Sequence, residues 1–467
     1  MEHDIDKQFL FINIKNCYFL ETSAGEKAMH NIVEHIYEET TGTLLMKLKR
    51  DGERDIEKLS SAMDALRQQQ IDQGIFSFDC YTDKGSHTHS NLAIKESAQS
   101  RDCIIWSINH YLGLNRHPHV IERAIQAVRE FGTGCGTSAI SGGMNALHKQ
   151  IETKLCHWLQ AESVMLFPTG FTANMGLLAA ICQDGDHVLI DDESHASIRD
   201  GIRLSPAKKW ISFKHNSIAD IERKLIEAKN SGCGKTIVVV ESVYSMSGDI
   251  CPLRALVALK EKYDFLLVVD EAHSFGLYGQ HGKGLCYQEG VLSQVDFLTS
   301  TFSKATASIG GFVALKTRYM SYLQWSANAF AFQACFSPAD AGTILGAMEV
   351  LEADESIIEK LHANNTYMRN QLLSMGFYLA NSKSPIIPVY IPNTKKLMKV
   401  CYELFKGGVF SVPIAHPMVR EKEGRIRFIV NASHTRTQID KTTYLLHELA
   451  LKYDLLQDQH INGNVRK

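Results

Sequence analysis

Short apolar runs alternate with longer amphipathic segments through the middle of the chain. One amphipathic segment is HNSIADIERKLIEAKNS at 215–231, whose apolar residues recur at helical spacing. Apolar strands separated by helices predict an α/β fold with a mostly parallel sheet, covered by helices on both faces. The runs that predict strands are SVMLFPTG, HVLIDDESH, TIVVVESV, FLLVVDEAH, DFLTSTFSK and GFVALK.

The two ends of the chain have a different pattern. EKAMHNIVEHIYEETT (26–41) and DIEKLSSAMDALRQQQI (55–71) predict surface helices, and the polar stretch at 81–91 is typical of a loop. After about residue 345, helices alternate with SPIIPVYIP and GRIRFIVNA, which indicates a smaller α+β unit. We therefore expect three parts, listed by residue number: a helical extension over 1–100, a large domain over 101–345 and a small domain over 346–467.

Composition removes several classes of function. The 467 residues are 45% hydrophobic and 22% charged, with a formal net charge of −3, so nothing favours nucleic acid or an anionic membrane as partner. The eleven cysteines form no C-x-x-C pair, so neither a metal site nor a redox dithiol is indicated. The acidic start and the absence of a long apolar run predict a cytoplasmic protein without a membrane span.

Polar and ionisable residues follow the most apolar runs. Ser245, Asp270, His273 and Lys304 would lie beyond the carboxyl ends of parallel strands, where ligands bind in open sheets. A lysine that forms a Schiff base needs a partly desolvated pocket, which lowers its pKa. Pyridoxal phosphate also needs a carboxylate at its pyridine nitrogen, a flat group over its ring and donors for its phosphate.

Each of these needs has a candidate in the sequence. Asp270 ends FLLVVD and can pair with a pyridinium, and His195 in DDESHAS can stack on the ring. The turn FPTGFTAN (167–174) leads into a helix and offers N–H groups for phosphate. DEAH also occurs in helicases, but no G-x-x-x-x-G-K-[ST] loop precedes it here. The candidate phosphate donors are Gly170, Phe171, Thr301 and Ser303.

With these residues in this order, the chain resembles the α-oxoamine synthases, which are fold-type I pyridoxal phosphate enzymes. The resemblance runs from about residue 107 to about residue 448. It is carried by NHYLGL, GTGCGTSAISG, FPTGFTAN, DESHASIRDGIRLS, ESVYSMSGD, VVDEAHSFGLYGQHGKG, STFSKA and GRIRFIVNASHT.

The resemblance implies a role for each matching residue. Lys304 would bind the cofactor covalently and move the α-proton, Asp270 would pair with the pyridine nitrogen, and His195 would stack on the ring. His273 and Ser245 would contact the phenolic oxygen of the cofactor. The remaining roles are phosphate binding by Gly170, Phe171 and Thr301, and substrate binding by Asn109 and the carboxylate-binding Arg427.

The implied reaction is a decarboxylative condensation. A small amino acid (glycine, alanine or serine) and an acyl thioester, on coenzyme A or a carrier protein, give an α-aminoketone; a homodimer is implied as well. Alternatives are a quorum-signal synthase that makes a long-chain aminoketone, a fold-type I aminotransferase or lyase, and a non-catalytic partner subunit, against which Lys304 argues. The chain departs from common family residues at Ser138, Ala139, Ala307, Ala334 and Asn431.

Overall fold

The computed structural model describes residues 40–72, 80–94, 100–232 and 234–456. Apart from its last two residues, the helix predicted over 26–41 lies outside these ranges. The strands are β1 Cys80–Thr82, β2 His89–Ile94, β3 Ser100–Ile105, β4 Ser163–Phe167, β5 His187–Asp191, β6 Ile211–Phe213, β7 Thr236–Glu241, β8 Leu266–Asp270, β9 Phe297–Thr301, β10 Gly311–Leu315, β11 Ile386–Tyr390, β12 Val409–Phe410, β13 Val412–Ile414 and β14 Arg425–Ile429.

Helices separate most of these strands, as the alternating pattern predicted. The α-helices of the described residues are α1 Thr41–Arg50, α2 Ile56–Asp72, α3 Pro118–Phe131, α4 Ala146–Leu159, α5 Gly170–Ile181, α6 Ala196–Leu204, α7 Ile218–Ser231, α8 Leu253–Ala258, α9 Leu285–Gln288, α10 Met320–Ser326, α11 Asn328–Ala331, α12 Pro338–Ala353, α13 Ser356–Ser374, α14 Thr394–Lys406 and α15 Arg436–Lys452.

A seven-stranded sheet carries the large domain, in the order β4-β10-β9-β8-β7-β5-β6. Every neighbouring pair is parallel except the two pairs made by β10. The middle strands are buried on both faces because helices cover them, which explains their continuous Val, Ile and Leu runs. The mostly parallel sheet predicted from the sequence is confirmed, with GFVALK as its antiparallel member.

Two smaller sheets flank the large one. The first has the order β11-β14-β13 and is built from the C-terminal third of the chain. The second has the order β1-β2-β3-β12, so β3 pairs with a strand that comes about 300 positions later. This sheet therefore joins three strands from the N-terminal part of the described chain to one strand from its C-terminal part.

The loop predicted over 81–91 is wrong at both ends, where β1 and β2 pair as an antiparallel hairpin, while residues 83–88 form the turn between them. Thr88, Ser90 and Leu92 point inward and are buried, whereas His89 is exposed. Buried and exposed positions therefore alternate as in a strand, but two of the three buried residues carry hydroxyl groups and are not apolar. A search for hydrophobic alternation overlooks such a strand.

The N-terminal helices rest on the loop between β13 and β14. The hydroxyls of Thr40 and Thr43 both donate to the backbone oxygen of His416, at 2.7 and 2.9 Å. Leu44 of α1 and Leu66 of α2 are buried against each other. Within the described ranges, no helix combines the length and apolar character that a membrane crossing requires.

Candidate functional site

A cavity of about 240 Å³ lies beyond the carboxyl ends of β7, β8 and β9. This is the edge of the sheet at which open parallel sheets bind ligands. The sequence-predicted residues that line this cavity are Gly170, Phe171, His195, Asp270, His273, Thr301, Ser303 and Lys304. The sheet thus brings together residues that are spread over more than a hundred positions of sequence.

Asp270 is the last residue of β8, and its side chain is buried. Its Oδ1 accepts the backbone N–H of Ala272 at 2.8 Å, and its Oδ2 accepts Nδ2–H of Asn174 at 2.6 Å. One hydrogen bond to each oxygen fixes the plane of the carboxylate. A buried carboxylate held in this way suits a cationic partner such as a pyridinium.

Lys304 lies on the segment that joins β9 to β10, and its side chain is partly buried. Burial lowers the pKa of the Lys304 amine, while the carboxyl groups of Asp270 and Glu241 oppose that change. An amine with a lowered pKa is more often unprotonated, and only the unprotonated amine attacks a carbonyl carbon. The surroundings of Lys304 therefore suit a lysine that binds a carbonyl group.

His195 precedes α6 and caps its first turn. Its backbone N–H donates to Oε1 of Glu241 at 2.6 Å, and its ring Nδ1 lies 2.8 Å from Oγ of Ser197. Burial lowers the pKa of His195, which favours a neutral ring. A neutral imidazole at the wall of the cavity is suited to stacking on a flat aromatic ligand.

His273 lies three residues after Asp270 and is also buried. Its Nδ1 lies 2.7 Å from the hydroxyl of Tyr111. Burial is the main reason that the pKa of His273 falls well below its ordinary value. Its neutral ring can donate a hydrogen bond from Nε2 when Tyr111 donates to Nδ1.

The part of the cavity wall formed by Gly170 and Thr301 is suited to a phosphate. Helix α5 begins at Gly170 there, so its first N–H groups are free to bind an anion. A Cβ atom on Gly170 would come within 2.5 Å of Cβ of Thr301, so only glycine allows this approach. The hydroxyl of Thr301 lies 2.8 Å from that of Ser303. Phosphate donors at one end, Asp270 near the other and Lys304 in the wall fit pyridoxal phosphate.

Three other predicted residues do not line this cavity. The Arg427 guanidinium donates from Nη1 to the backbone oxygen of Ser245 at 3.0 Å. Its charge acts on both Lys304 and His273, which places it beside the cavity. Asn109 has a buried Oδ1 without a hydrogen-bond partner in the described part of the chain. The roles predicted for Ser245, Asn109 and Arg427 therefore stay predictions.

Sequence reasoning missed several residues that line the cavity. Asn174, Ser197 and Glu241 all border it and bond to the predicted residues. Asn174 lies one helical turn after Gly170, and Ser197 lies two positions after His195. These spacings could have indicated both residues. Side chains four positions apart share one face of a helix, and the side chain of an N-cap residue accepts the backbone N–H two residues later.

Comparison with known proteins gives three kinds of match. The family model described as aminotransferase class I and II matches residues 101–443. A serine palmitoyltransferase of Bacteriovorax stolpii is 38% identical over 372 residues, covering 79% of this chain and 87% of the relative. An 8-amino-7-oxononanoate synthase of Petrotoga mobilis is 34% identical over 332 residues, covering 71% and 84%.

Solved structures agree with the sequence matches. The Sphingomonas wittichii serine palmitoyltransferase has a TM-score of 0.80 and 28% identity, covering 85% of this chain and 99% of that chain. A high-resolution structure of a serine palmitoyltransferase with its pyridoxal phosphate internal aldimine has a TM-score of 0.79 and 28% identity, covering 86% and 100%.

Proposed function

Because the chain belongs to the aminotransferase class I and II family, and within it to the pyridoxal-phosphate-dependent α-oxoamine synthases, we propose that it condenses a small amino acid with an acyl thioester. The products are an α-aminoketone, carbon dioxide and a free thiol. The observation that carries the proposal is the meeting of Lys304, Asp270, His195 and His273 in one buried cavity beside Arg427.

The chain's own groups divide the work between them. The cofactor, when bound, supplies an electron sink for the carbanion formed at Cα of the amino acid. Asp270 would keep the pyridine nitrogen protonated, and His195 would cover one face of the ring. Lys304 would bind the carbonyl carbon of the cofactor and would later move the α-proton. Its lowered pKa leaves the amine ready to accept that proton.

Arg427 is the proposed anchor for the amino acid. Its charge acts on Lys304, and its guanidinium makes one hydrogen bond to a backbone oxygen, so other donors remain for a carboxylate. A carboxylate held as a bidentate pair orients the Cα–H bond across the plane of the cofactor ring. This orientation selects loss of the α-proton over immediate loss of carbon dioxide.

The proposed amino acids are small. A bulky side chain on the amino acid would collide with the cavity wall, so glycine, alanine and serine are the candidates. Several relatives are named serine palmitoyltransferase, so serine with a long-chain acyl thioester is the first pair to test. A quorum-signal synthase would use the same residues with a different acyl chain.

The proposal includes a homodimer in the cytoplasm. Phe332 and Trp325 lie 81% and 76% exposed near the helices that pack on α5, and Ile309 at the cavity is 55% exposed. Contiguous exposed apolar patches are typical of an interface, and we infer that these three side chains contribute to one. Light scattering on the purified protein tests this part, and an active monomer would contradict it.

The reaction is tested by adding each amino acid with an acyl thioester and measuring thiol and carbon dioxide. We expect equal amounts of both with one of the three amino acids, and neither without the thioester. A matched control omits the amino acid, which separates condensation from simple thioester hydrolysis. Formation of a keto acid at a comparable rate without thioester would favour the aminotransferase alternative.

A further inference from the structure

Asn174 is a buried asparagine, only 4% exposed, whose side chain makes three hydrogen bonds. Its Nδ2 donates to Oδ2 of Asp270 at 2.6 Å and to Oγ of Ser197 at 3.0 Å. Its Oδ1 accepts the hydroxyl of Thr299 at 2.6 Å. The amide thus joins the strand end that carries Asp270 to the helix cap that carries His195.

Chemistry fixes the orientation of this amide. A carboxylate only accepts hydrogen bonds, so the atom of Asn174 that faces Asp270 has to be the NH₂ group. The opposite atom is then the carbonyl oxygen, and Thr299 donates to it. Strand register supports the arrangement, because Thr299 lies directly beside Asp270 in the parallel pair of β8 and β9. An amide flip would place two acceptors against each other.

The direction of these bonds also fixes the state of His195. Nδ1 of His195 accepts the backbone N–H of Ser197 at 3.2 Å, so Nδ1 carries no proton. The Ser197 hydroxyl accepts from Asn174 and is therefore free to donate to the same Nδ1, 2.8 Å away. The ring proton of His195 is left on Nε2. One chain of donors runs from Thr299 through Asn174 and Ser197 to the ring.

We propose that Asn174 is a positioning residue, which holds Asp270 and His195 in fixed relation to each other across the pyridoxal phosphate ring. The inference rests on the proposed function, since it assigns those two residues to the nitrogen and the face of that ring. The cofactor ring can act as an electron sink only when His195 stacks on it and Asp270 pairs with its nitrogen. Stacking sets the plane of the ring, and the Asp270 carboxylate has to lie in that plane. Asn174 sets the angle between the two without taking part in bond making.

The test compares holoenzymes of the wild type and the variant Asn174→Ala. The visible circular dichroism of the bound cofactor reports how the ring is held, and it is recorded without any acyl thioester. We expect this signal to change and kcat to fall about tenfold or more, while the KM for the amino acid changes by less than about threefold. We expect kcat to change more than KM because Arg427, and not Asn174, is the proposed anchor of the amino acid.

Asn364 provides a matched control. It is also 4% exposed, and its Nδ2 donates to backbone oxygens of Asn431, Ala432 and His434 in the small domain. Asn364→Ala removes a buried amide whose NH₂ group is likewise hydrogen-bonded. We expect a lowered melting temperature but an unchanged visible signal. The same spectral change in this control would mean that loss of stability, and not positioning, is the cause, and would overturn the proposal.

Thr299→Val is the second variant. Thr299 does not line the cavity, and its hydroxyl donates to Oδ1 of Asn174. Valine keeps the shape and removes the donor, so Oδ1 of Asn174 loses its partner and the amide is held less firmly. We expect a smaller spectral change in the same direction, and this variant decides the matter if Asn174→Ala does not fold. A wild-type spectrum in Thr299→Val, or in a folded Asn174→Ala with kcat within about twofold, would overturn the proposal.

The two proposals fail separately. If the wild type binds pyridoxal phosphate but releases neither thiol nor carbon dioxide, the proposed reaction is wrong. The spectral comparison still reports on the position of the ring, since it needs only the bound cofactor.

Discussion

The hydroxyl of Tyr111 lies 2.7 Å from Nδ1 of His273, and both side chains are buried. Because the pKa of His273 falls well below its ordinary value, its ring is neutral and Nδ1 accepts the phenolic proton. Nε2 is then the donor, and it is free for the phenolic oxygen of the cofactor. Tyr111 thereby selects the tautomer of His273.

Replacing Tyr111 by phenylalanine is expected to lower kcat about tenfold, because His273 loses the partner that sets its tautomer. The pH dependence of the cofactor's visible absorption should shift as well. Tyr278→Phe is a matched control, since Tyr278 is buried and its hydroxyl has no hydrogen-bond partner among the described residues. Equal losses of kcat in the two variants would contradict the proposal that Tyr111 sets the tautomer of His273.

Replacing Lys304 by alanine should abolish turnover, because no other described residue that lines the cavity carries an amine. The variant should still bind pyridoxal phosphate, since Asp270, His195 and the start of α5 are unchanged. Borohydride reduction followed by digestion and mass spectrometry should mark Lys304 in the wild type. A label on a different lysine would contradict the assignment.

Replacing Asp270 by asparagine should lower kcat on the order of a thousandfold or more. The amide cannot keep the ring nitrogen protonated, so the carbanion loses its sink. Asp296→Asn is a control, because Asp296 is a buried carboxylate that pairs with Lys260 away from the cavity. We expect Asp296→Asn to cost stability and leave kcat within about twofold. Asp270→Asn with activity within about tenfold of wild type would exclude the pairing with the pyridine nitrogen.

Replacing Arg427 by lysine should raise the KM for the amino acid much more than the KM for the thioester. A lysine ammonium is a point charge and cannot copy the planar fork that binds both carboxylate oxygens. Arg425→Lys is the comparison, because Arg425 lies on the same strand but contacts Glu423 and Tyr390. Steady-state kinetics on both variants should show the KM effect only at Arg427.

His215 gives a prediction about stability and pH. Its ring donates to Asp191 at 2.8 Å and lies 3.3 Å from Asp249, with Glu193 also nearby. Burial opposes the charged form, but the hydrogen bonds to Asp191 and Asp249 outweigh it and raise the pKa of His215 from 6.5 to about 10. Protonated His215 therefore stabilises the fold fully below about pH 6.5, and this contribution is lost as pH rises through about 10.

His215→Gln should accordingly lower the free energy of unfolding by about 3 kcal/mol at neutral pH, because it leaves three carboxylates without their cation. Urea denaturation of both proteins at neutral pH and near pH 10 measures the difference. We expect the difference to shrink at the higher pH, where the wild type also loses the charge. A difference that grows with pH would mean that His215 is neutral in the folded protein.

Repeating patterns in the sequence predicted the large sheet and most of the site. Strands such as β7 and β8 are apolar throughout, and their last residues fall at one edge, so Asp270 and Lys304 meet as expected. The bonds of Asn174 could not be predicted, because they depend on the register of β8 against β9 and on the angle of α5. Neither the register nor the angle can be derived from the spacing of residues in one sequence.

Ala307 shows how the fold accommodates a departure from the common family residues. The sequence has alanine where the family often has glycine, and the structure gives Ala307 a φ of 53°. This left-handed conformation costs a non-glycine residue about 1 kcal/mol and costs glycine very little. The fold thus keeps the backbone that glycine favours and accepts the strain of alanine.

The pairing of β3 with β12 bears on how the chain reaches its native state. Ile104 and Ile105 align with Val409 and Phe410, so one side of β3 has no strand to bond with until synthesis has passed residue 410. Contacts between such distant positions form slowly, because a long loop has to close first. A ribosome that has made only the large domain therefore holds a strand with an open edge, and we expect chaperones to bind the nascent chain at that stage.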